Sequence, residues 1–338
     1  MKIDLVYLWV DGSDPAFCAE RDKWLKKWLE EHKSKAAREN IPSRWRDNDE
    51  LRHSLRSAAK YVPWINHVYI VTFNQTPAWL NIDNPKVSII SHSQIIPQKY
   101  LPTFNPNVIE ACIPFIPGLS EHFLYANDDM YFNLPLSPSD FFDADGNPIV
   151  YVKHKTYLKN EISDANYPKA SASKHVYGKA LLLTRRRIWE KLGKNYPIIP
   201  CHNIEPFRKS NCLDTINAFK EDFEKMLPNK FRGEYDIEKL IFHLYDFYKG
   251  RNTLLHYADA GKNIVLNDKI IPKMTLIRFF NFLFKPIRYN TLDGSHINRK
   301  IISKKPKLVC INDDYSKPCK ANIAFLDSLY PWKSEFEK

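Results

Sequence analysis

Residues 3–15 read IDLVYLWVDGSDP, and this stretch decides the fold of the chain. From Ile3 to Val10 the run is largely apolar and rich in residues that favour β-strands. It ends in Asp, Gly, Ser and Pro residues, a composition typical of a turn. The stretch therefore predicts a first strand that delivers Asp11 and Asp14 to the loop at its carboxyl end.

Strands and helices alternate through the first half of the chain. Trp and Leu residues at three- and four-residue spacing predict a helix within residues 16–40, and a second periodic pattern predicts one from Asp47 to Tyr61, ended by Pro63. The apolar runs beyond it predict three strands and a short helix, at residues 67–72, 87–91, 122–126 and 107–115 respectively. This order is typical of an α/β fold with a largely parallel sheet.

The length of the chain, 338 residues, is enough for about two domains. We expect residues 1–150 to form the α/β core and residues 151–300 to form a mostly helical insertion. Residues 301–338 are then a C-terminal segment that returns to the site of the core. Helical patterns within the insertion fall near residues 179–192, 212–227 and 236–250.

Composition and charge exclude several classes of protein. With 44% hydrophobic and 14% aromatic residues the chain is not a disordered one, and no apolar run approaches the ~20 residues that span a bilayer. The first ten residues lack the apolar region of a signal peptide, and the six cysteines show no zinc-binding spacing, which indicates a cytoplasmic protein. The net charge of +11 indicates an anionic partner or a solvated basic surface, without a nucleic-acid-binding fingerprint.

Acidic clusters follow two of the predicted strands. Asp11 and Asp14 follow the first, and Asn127, Asp128 and Asp129 follow the strand at 122–126. Ligands of open α/β sheets bind beyond the carboxyl ends of the strands, and a hard divalent cation on phosphate oxygens offsets the repulsion between adjacent carboxylates. The alternative is a plain turn, in which Asn and Asp side chains make local hydrogen bonds.

Three other groups of residues are candidates for chemistry. Asn48, Arg52 and Arg56 are four residues apart on the second helix, a spacing that suits a phosphate clamp or pairing with surface acids. His202 lies in a proline-bounded loop, where an imidazole suits a general base. A strand-like run at 308–311 ends in a further Asn312-Asp313 pair.

The segment from Met274 to Tyr289 is apolar and aromatic between basic residues, and it is too short to span a membrane. Two interpretations remain open for it: a helix that lies in a bilayer interface or contacts a glycan, and a buried helix of the core.

Four blocks of the sequence resemble the Stealth family of sugar-phosphate transferases. This family holds bacterial capsule and cell-surface polysaccharide phosphotransferases and the catalytic part of animal N-acetylglucosamine-1-phosphotransferase. The blocks are DLVYLWVDGSDP at 4–15, RDNDELRHSLRS at 46–57 continuing to NDDM at 127–130, residues 202–209 with Phe231, Arg232 and Asp236, and CIND at 310–313 with Phe325, Leu326, Tyr330 and Pro331.

The resemblance implies a Rossmann-like or GT-A-like core that binds a nucleotide sugar, and a reaction. A sugar 1-phosphate passes from a nucleoside-diphosphate sugar, UDP-N-acetylhexosamine or UDP-hexose, to a glycan hydroxyl, and a nucleoside monophosphate leaves. The resemblance also implies Mg²⁺ or Mn²⁺ as cofactor and a role in capsule or cell-surface polysaccharide synthesis. The expected location is the cytoplasm, with peripheral contact at the inner face of the bacterial cytoplasmic membrane as a further hypothesis.

The same resemblance assigns roles to residues. Asp129, His202 and Arg232 are expected to be catalytic, with His175 as a rival for the role of His202. The expected metal ligands are Asp128, Asp129 and Asp313. The expected substrate-binding residues are Trp9, Asp11, Gly12, Asn48, Arg52, Arg56, Glu110, Asn127 and Asn312.

Two other functions remain as alternatives. A metal-dependent glycosyltransferase of GT-A type would release a nucleoside diphosphate instead of a monophosphate. A non-catalytic basic module would bind anionic lipid or nucleic acid without turning over a donor.

Overall fold

The computed structural model describes residues 1–32, 45–154, 160–172, 176–233, 235–256, 265–267, 305–311 and 320–338. In chain order the described strands are β1 (Ile3–Leu8), β2 (Val68–Thr72), β3 (Val87–Ser91), β4 (His122–Asn127), β5 (Met130–Phe132), β6 (Ile149–His154), β7 (Ile198–Pro200), β8 (Glu205–Arg208), β9 (Thr253–His256), β10 (Val265–Asn267) and β11 (Leu308–Cys310). The described α-helices are α1 (Pro15–His32), α2 (Glu50–Tyr61), α3 (His92–Ile95), α4 (Pro106–Cys112), α5 (Tyr167–Ala172), α6 (Val176–Leu192), α7 (Lys209–Ala218), α8 (Lys220–Met226), α9 (Leu240–Tyr248) and α10 (Lys320–Leu329).

A five-stranded sheet with the order β3-β2-β1-β4-β8 forms the centre of the fold. The strands β3, β2, β1 and β4 run parallel, and β8 pairs with β4 in the antiparallel direction. The order β3-β2-β1-β4 is that of a Rossmann-like sheet, with the chain crossing from one side of β1 to the other. The predicted α/β class with a mostly parallel sheet is confirmed.

The first strand is apolar because both faces of the sheet are covered. Leu5 and Tyr7 pack against α2 in one buried cluster, and Val6 packs in a second cluster on the opposite face. Asp4 is also fully buried, and its carboxylate accepts hydrogen bonds from the Asn66 side chain and the Ser120 backbone N–H, both at 2.7 Å. The one charge of the strand therefore ties together the turns that precede β2 and β4.

Two of the predicted helices differ from the observed ones. The second helix begins at Glu50 and not at Asp47, because Asp49 has a φ of 69°, in the left-handed region, and cannot continue a right-handed helix. The helix predicted near 212–227 is two helices, α7 and α8, which are separated by the non-helical backbone of Phe219.

The middle of the chain is not only helical. It supplies β8 to the central sheet, and β7, β6 and β9 form a small sheet of their own, in which β6 pairs with β7 in antiparallel and with β9 in parallel fashion. A third sheet has the order β10-β11-β5. Among the described residues, no helix combines the length and the apolar character that crossing a bilayer requires.

Candidate active site

The turn from Asn127 to Asp129 links β4 to β5 and is held from two sides. Ser54 of α2 donates a hydrogen bond through its hydroxyl to the backbone oxygen of Met130. From the other side, the backbone N–H of Ile311, at the end of β11, donates to the backbone oxygen of Asp129 at 3.0 Å. The turn therefore lies at the carboxyl ends of the parallel strands, between α2 and β11, where the backbone has little freedom to move.

Two carboxylates of this turn, Asp128 and Asp129, and two at or just before the start of α2, Asp47 and Glu50, form what we call the acidic cluster. Burial raises the pKa of Asp128 well above its usual range, and the charges of Asp129, Glu50 and Asp47 raise it further. Burial likewise raises the pKa of Glu50 and of Asp47. Negative charge is thus concentrated in a place that water screens poorly.

The acidic cluster fits a hard divalent cation. Mg²⁺ and Mn²⁺ prefer carboxylate oxygens, and a bound cation relieves the repulsion that raises the pKa of Asp128.

Neither Asp47 nor Glu50 is predicted by the patterns above, although the acidic run at 47–50 at the start of a helix is a visible signal. Asp313 and Asn312 lie outside the described residues. Asn48 binds Glu50 through its backbone N–H and, at 2.6 Å, through its side-chain nitrogen.

His202 lies beside the acidic cluster, in the loop between β7 and β8. A ring nitrogen of His202, a carboxylate oxygen of Asp129 and the thiol sulfur of Cys310 all lie within 4.8 Å of one another. Two of the predicted catalytic residues are therefore neighbours, together with a cysteine that the sequence patterns do not predict. His175, the rival of His202, lies outside the described residues.

Glu110 and Asn127 are joined by the hydroxyl of Tyr125, whose oxygen lies 2.8 Å from Glu110 Oε1 and 2.8 Å from Asn127 Oδ1. One hydroxyl proton cannot serve both acceptors. Burial raises the pKa of Glu110 against the opposing effects of Lys239 and Arg232. The Tyr125 hydroxyl therefore donates to one of the two oxygens at a time.

Lys239 is the buried cation behind this chain of hydrogen bonds. Its ammonium nitrogen lies 3.1 Å from Glu238 Oε1 and 3.6 Å from Glu205 Oε1, and His243 contacts the other oxygen of Glu205 at 2.9 Å. Burial alone would lower the pKa of Lys239, but the carboxylates around it, Glu110 included, raise it well above its usual range. No role is predicted from the sequence for Lys239, Glu205 or His243, although Glu205 lies within the block at 202–209 and His243 is a polar residue within an apolar helical pattern.

The turn after β1 brings together Trp9, Asp11 and Gly12. Trp9 is buried, and the carboxylate of Asp11 accepts hydrogen bonds from the backbone N–H and the hydroxyl of Ser13. Gln75 binds both the N–H and the carbonyl of Asp11, at 3.1 and 2.9 Å. A Cβ atom on Gly12 would lie 1.9 Å from the backbone oxygen of Trp45, so only glycine fits there. Binding of a nucleoside by this turn stays a prediction.

Arg52 and Arg56 hold a carboxylate of this chain. Arg56 binds both oxygens of Glu337 through Nε at 2.8 Å and Nη2 at 2.7 Å, and Arg52 binds Glu337 through Nε at 2.7 Å. The four-residue spacing of Arg52 and Arg56 does form a clamp for an oxyanion, and the anion that they bind is the carboxylate of Glu337. The structure therefore favours pairing with an acid for these two arginines, and donor binding by them stays a prediction.

The fold and the site together define an α/β protein with an acidic cluster at the carboxyl ends of its parallel strands. The family descriptions "Stealth protein CR1, conserved region 1" and "Stealth protein CR2, conserved region 2" match residues 1–27 and 44–165. The capsular polysaccharide phosphotransferase LcbA of Neisseria meningitidis is 33% identical over 329 residues, which are 94% of this chain and 78% of that protein. The chain belongs to the Stealth family, and the resemblance seen in its sequence is confirmed.

A second relative extends the match almost to full length in both proteins. The exopolysaccharide phosphotransferase cps2G of Lactiplantibacillus plantarum is 33% identical over 362 residues, covering 99% of this chain and 96% of that protein. Family membership makes the chain an enzyme of the phosphotransferase class. A crystal structure of the galactosyltransferase LgtC with donor and acceptor sugar analogues aligns over 97% of this chain and 95% of its own, with 9% identity and a TM-score of 0.43, a likeness that carries no functional argument.

Proposed function

We propose that this enzyme transfers a sugar 1-phosphate from a nucleoside-diphosphate sugar to a hydroxyl group of a glycan, in the synthesis of a capsular or cell-surface polysaccharide. The donor is a UDP-N-acetylhexosamine or a UDP-hexose, and the leaving group is the nucleoside monophosphate. The observation that supports the proposal is the proximity of Asp129 to His202: a carboxylate oxygen of the first and a ring nitrogen of the second lie within 4.8 Å of each other beside the acidic cluster. The names of the relatives, capsular and exopolysaccharide phosphotransferases, support the choice of a polysaccharide acceptor.

Mg²⁺ or Mn²⁺ belongs to the proposal as cofactor, held by Asp128 and Asp129 with the other carboxylates of the acidic cluster in support. When bound, such a cation supplies charge neutralisation to the diphosphate of the donor. Without that neutralisation the acidic cluster would repel a diphosphate. The net charge of +11 is expected to favour an anionic glycan or membrane surface on the acceptor side.

His202 is the proposed general base. It takes the proton of the acceptor hydroxyl, the oxygen forms a bond to the sugar-side phosphorus, and the bond from that phosphorus to the bridging oxygen breaks, so that its electron pair leaves with the nucleoside monophosphate. Asp129, within 4.8 Å of His202, orients the imidazole and stabilises its charged form. Arg232, whose charge lowers the pKa of Glu110, is the group proposed to offset the negative charge on the equatorial oxygens.

Release of the leaving nucleotide tests the proposal directly. The protein is incubated with Mg²⁺, a panel of nucleotide sugars and a capsular oligosaccharide, and the released nucleotides are separated by chromatography. We expect a nucleoside monophosphate from one donor class, dependent on the divalent ion and on the acceptor. A nucleoside diphosphate would instead identify a glycosyltransferase, and tight metal-independent binding to DNA or anionic vesicles without turnover would identify a binding module.

Substitution of His202 tests the assignment of the base. We expect His202→Ala to lower turnover by about 10²–10⁴-fold, the usual contribution of a positioned general base, and His175→Ala to lower it far less. The measurement is the rate of nucleoside monophosphate release at saturating donor, with melting temperatures as a check on folding. A larger loss in His175→Ala would transfer the role of the base to His175.

A further inference from the structure

Three ligand atoms of different chemistry meet at the edge of the acidic cluster. The carboxylate of Asp129, the imidazole of His202 and the thiol of Cys310 place one oxygen, one nitrogen and one sulfur within 4.8 Å of one another. Cys310 is buried, whereas Asp129 and His202 are half-buried. Solvent therefore reaches parts of Asp129 and His202, whereas Cys310 is covered by the protein.

Backbone hydrogen bonds hold the segments that carry these three residues. Cys310 lies opposite Met130 in the antiparallel register of β11 and β5, and Ile311 donates its N–H to the backbone oxygen of Asp129 at 3.0 Å. Next to His202, the N–H of Cys201 donates to the backbone oxygen of Tyr151 at 3.1 Å. Ligands on such a frame are pre-positioned, so binding an ion costs little ordering of the chain.

We infer that Asp129, His202 and Cys310 form a binding site for a borderline transition metal, with Zn²⁺ as the best-fitting ion. Imidazole and thiolate are ligands that Zn²⁺ prefers, whereas Mg²⁺ requires oxygen ligands in an octahedral arrangement. Ligand atoms around one tetrahedral zinc are about 3.3–3.7 Å apart, which follows from the usual metal–ligand bond lengths. Side-chain rotation would have to bring the three atoms from their present separations of up to 4.8 Å to that geometry, and the fourth position of a tetrahedral ion would be left for water.

Zinc in this site acts against the transfer reaction. It takes the ring nitrogen of His202 and an oxygen of Asp129, so that neither the proposed base nor the hard-cation site is complete. This consequence rests on the proposed function, whereas the binding of zinc does not. The site is therefore expected to make the enzyme sensitive to zinc through a thiol that the reaction itself does not use.

Cobalt as a spectroscopic substitute for zinc tests the binding without any turnover. The full chain, stripped of metal, is titrated with Co²⁺, and Zn²⁺ is then used to displace it. We expect one equivalent of Co²⁺ to give a thiolate-to-metal charge-transfer band that Zn²⁺ abolishes. Cys310→Ser should remove the band and weaken zinc binding at least about tenfold, since even the loss of an outer partner of a ligand costs that much. Cys18→Ser, at a half-buried cysteine after β1, is the control and should change neither.

A second variant keeps the test decisive even if Cys310→Ser does not fold. His202→Ala keeps the thiol and should also weaken zinc binding, with the melting temperature of the metal-free protein unchanged. A cobalt spectrum without the thiolate band, or a zinc affinity that Cys310→Ser leaves as it is, would overturn the site. Zinc that displaces Co²⁺ and abolishes the band, but leaves Mg²⁺-supported turnover unaffected, would overturn the competition for Asp129.

Discussion

Replacement of Asp129 by Asn is expected to reduce turnover by about a thousandfold or more without destabilising the metal-free protein. The loss follows from removing a carboxylate that lies within 4.8 Å of the His202 ring nitrogen and belongs to the acidic cluster. Stability is retained because the charge of Asp129 repels Asp128, as the raised pKa of Asp128 indicates. The metal-free melting temperature should stay the same or rise slightly.

Turnover and thermal unfolding are measured together for this variant, with and without Mg²⁺. We expect Mg²⁺ to raise the melting temperature of the wild type, and this rise should disappear in Asp129→Asn because the hard-cation site has lost a ligand. Asp83→Asn, which changes an exposed aspartate in another turn, is the matched control and should behave like the wild type. A strongly destabilised Asp129→Asn would favour a purely structural turn at residues 127–129.

Replacement of Glu337 by Gln should lower the free energy of unfolding by about 3 kcal/mol, the usual cost of leaving a buried ion pair without one partner. The Glu337 side chain is only 1% exposed and binds the guanidinium groups of Arg52 and Arg56. Burial opposes ionisation, but hydrogen bonds from Arg56, Ser334 and Arg52 lower the pKa of Glu337 to about 2. Urea unfolding at pH 7 measures the loss.

The contribution of Glu337 to the free energy of unfolding decreases as the pH is lowered. Because its pKa is lower in the folded protein than the ordinary value of 4.5, its stabilisation is complete above pH 4.5 and disappears as the pH falls towards 2. The difference between wild type and Glu337→Gln should shrink over that range. Glu335→Gln is the control: its pair with Lys86, 3.4 Å long and half exposed on both sides, should contribute less than about 1 kcal/mol. Equal losses in the two variants would contradict a buried clamp.

The elements that the sequence predicts well are those with strong local patterns. The apolar run of β1, the helical spacing of Leu51 and Leu55 in α2 and the turn after β4 depend on periodicity and turn composition, which neighbouring residues set. The start of α2 is less predictable, because the left-handed backbone of Asp49 interrupts a pattern that otherwise looks continuous. The break between α7 and α8 at Phe219 is of the same kind.

The sequence by itself determined the α/β class, the family and the concentration of acidic residues after β4, because each depends on local pattern or on similarity along the chain. Only the tertiary structure brought Asp47 and Glu50 to Asp128, Cys310 to His202, and Glu337 to Arg52. These partners lie far apart along the chain, and their meeting depends on strand order and on how the helices pack over the sheet. The spacing of residues along the sequence does not indicate which of them meet in space. The charged partner of each residue, and therefore its role, can be identified only in the folded protein.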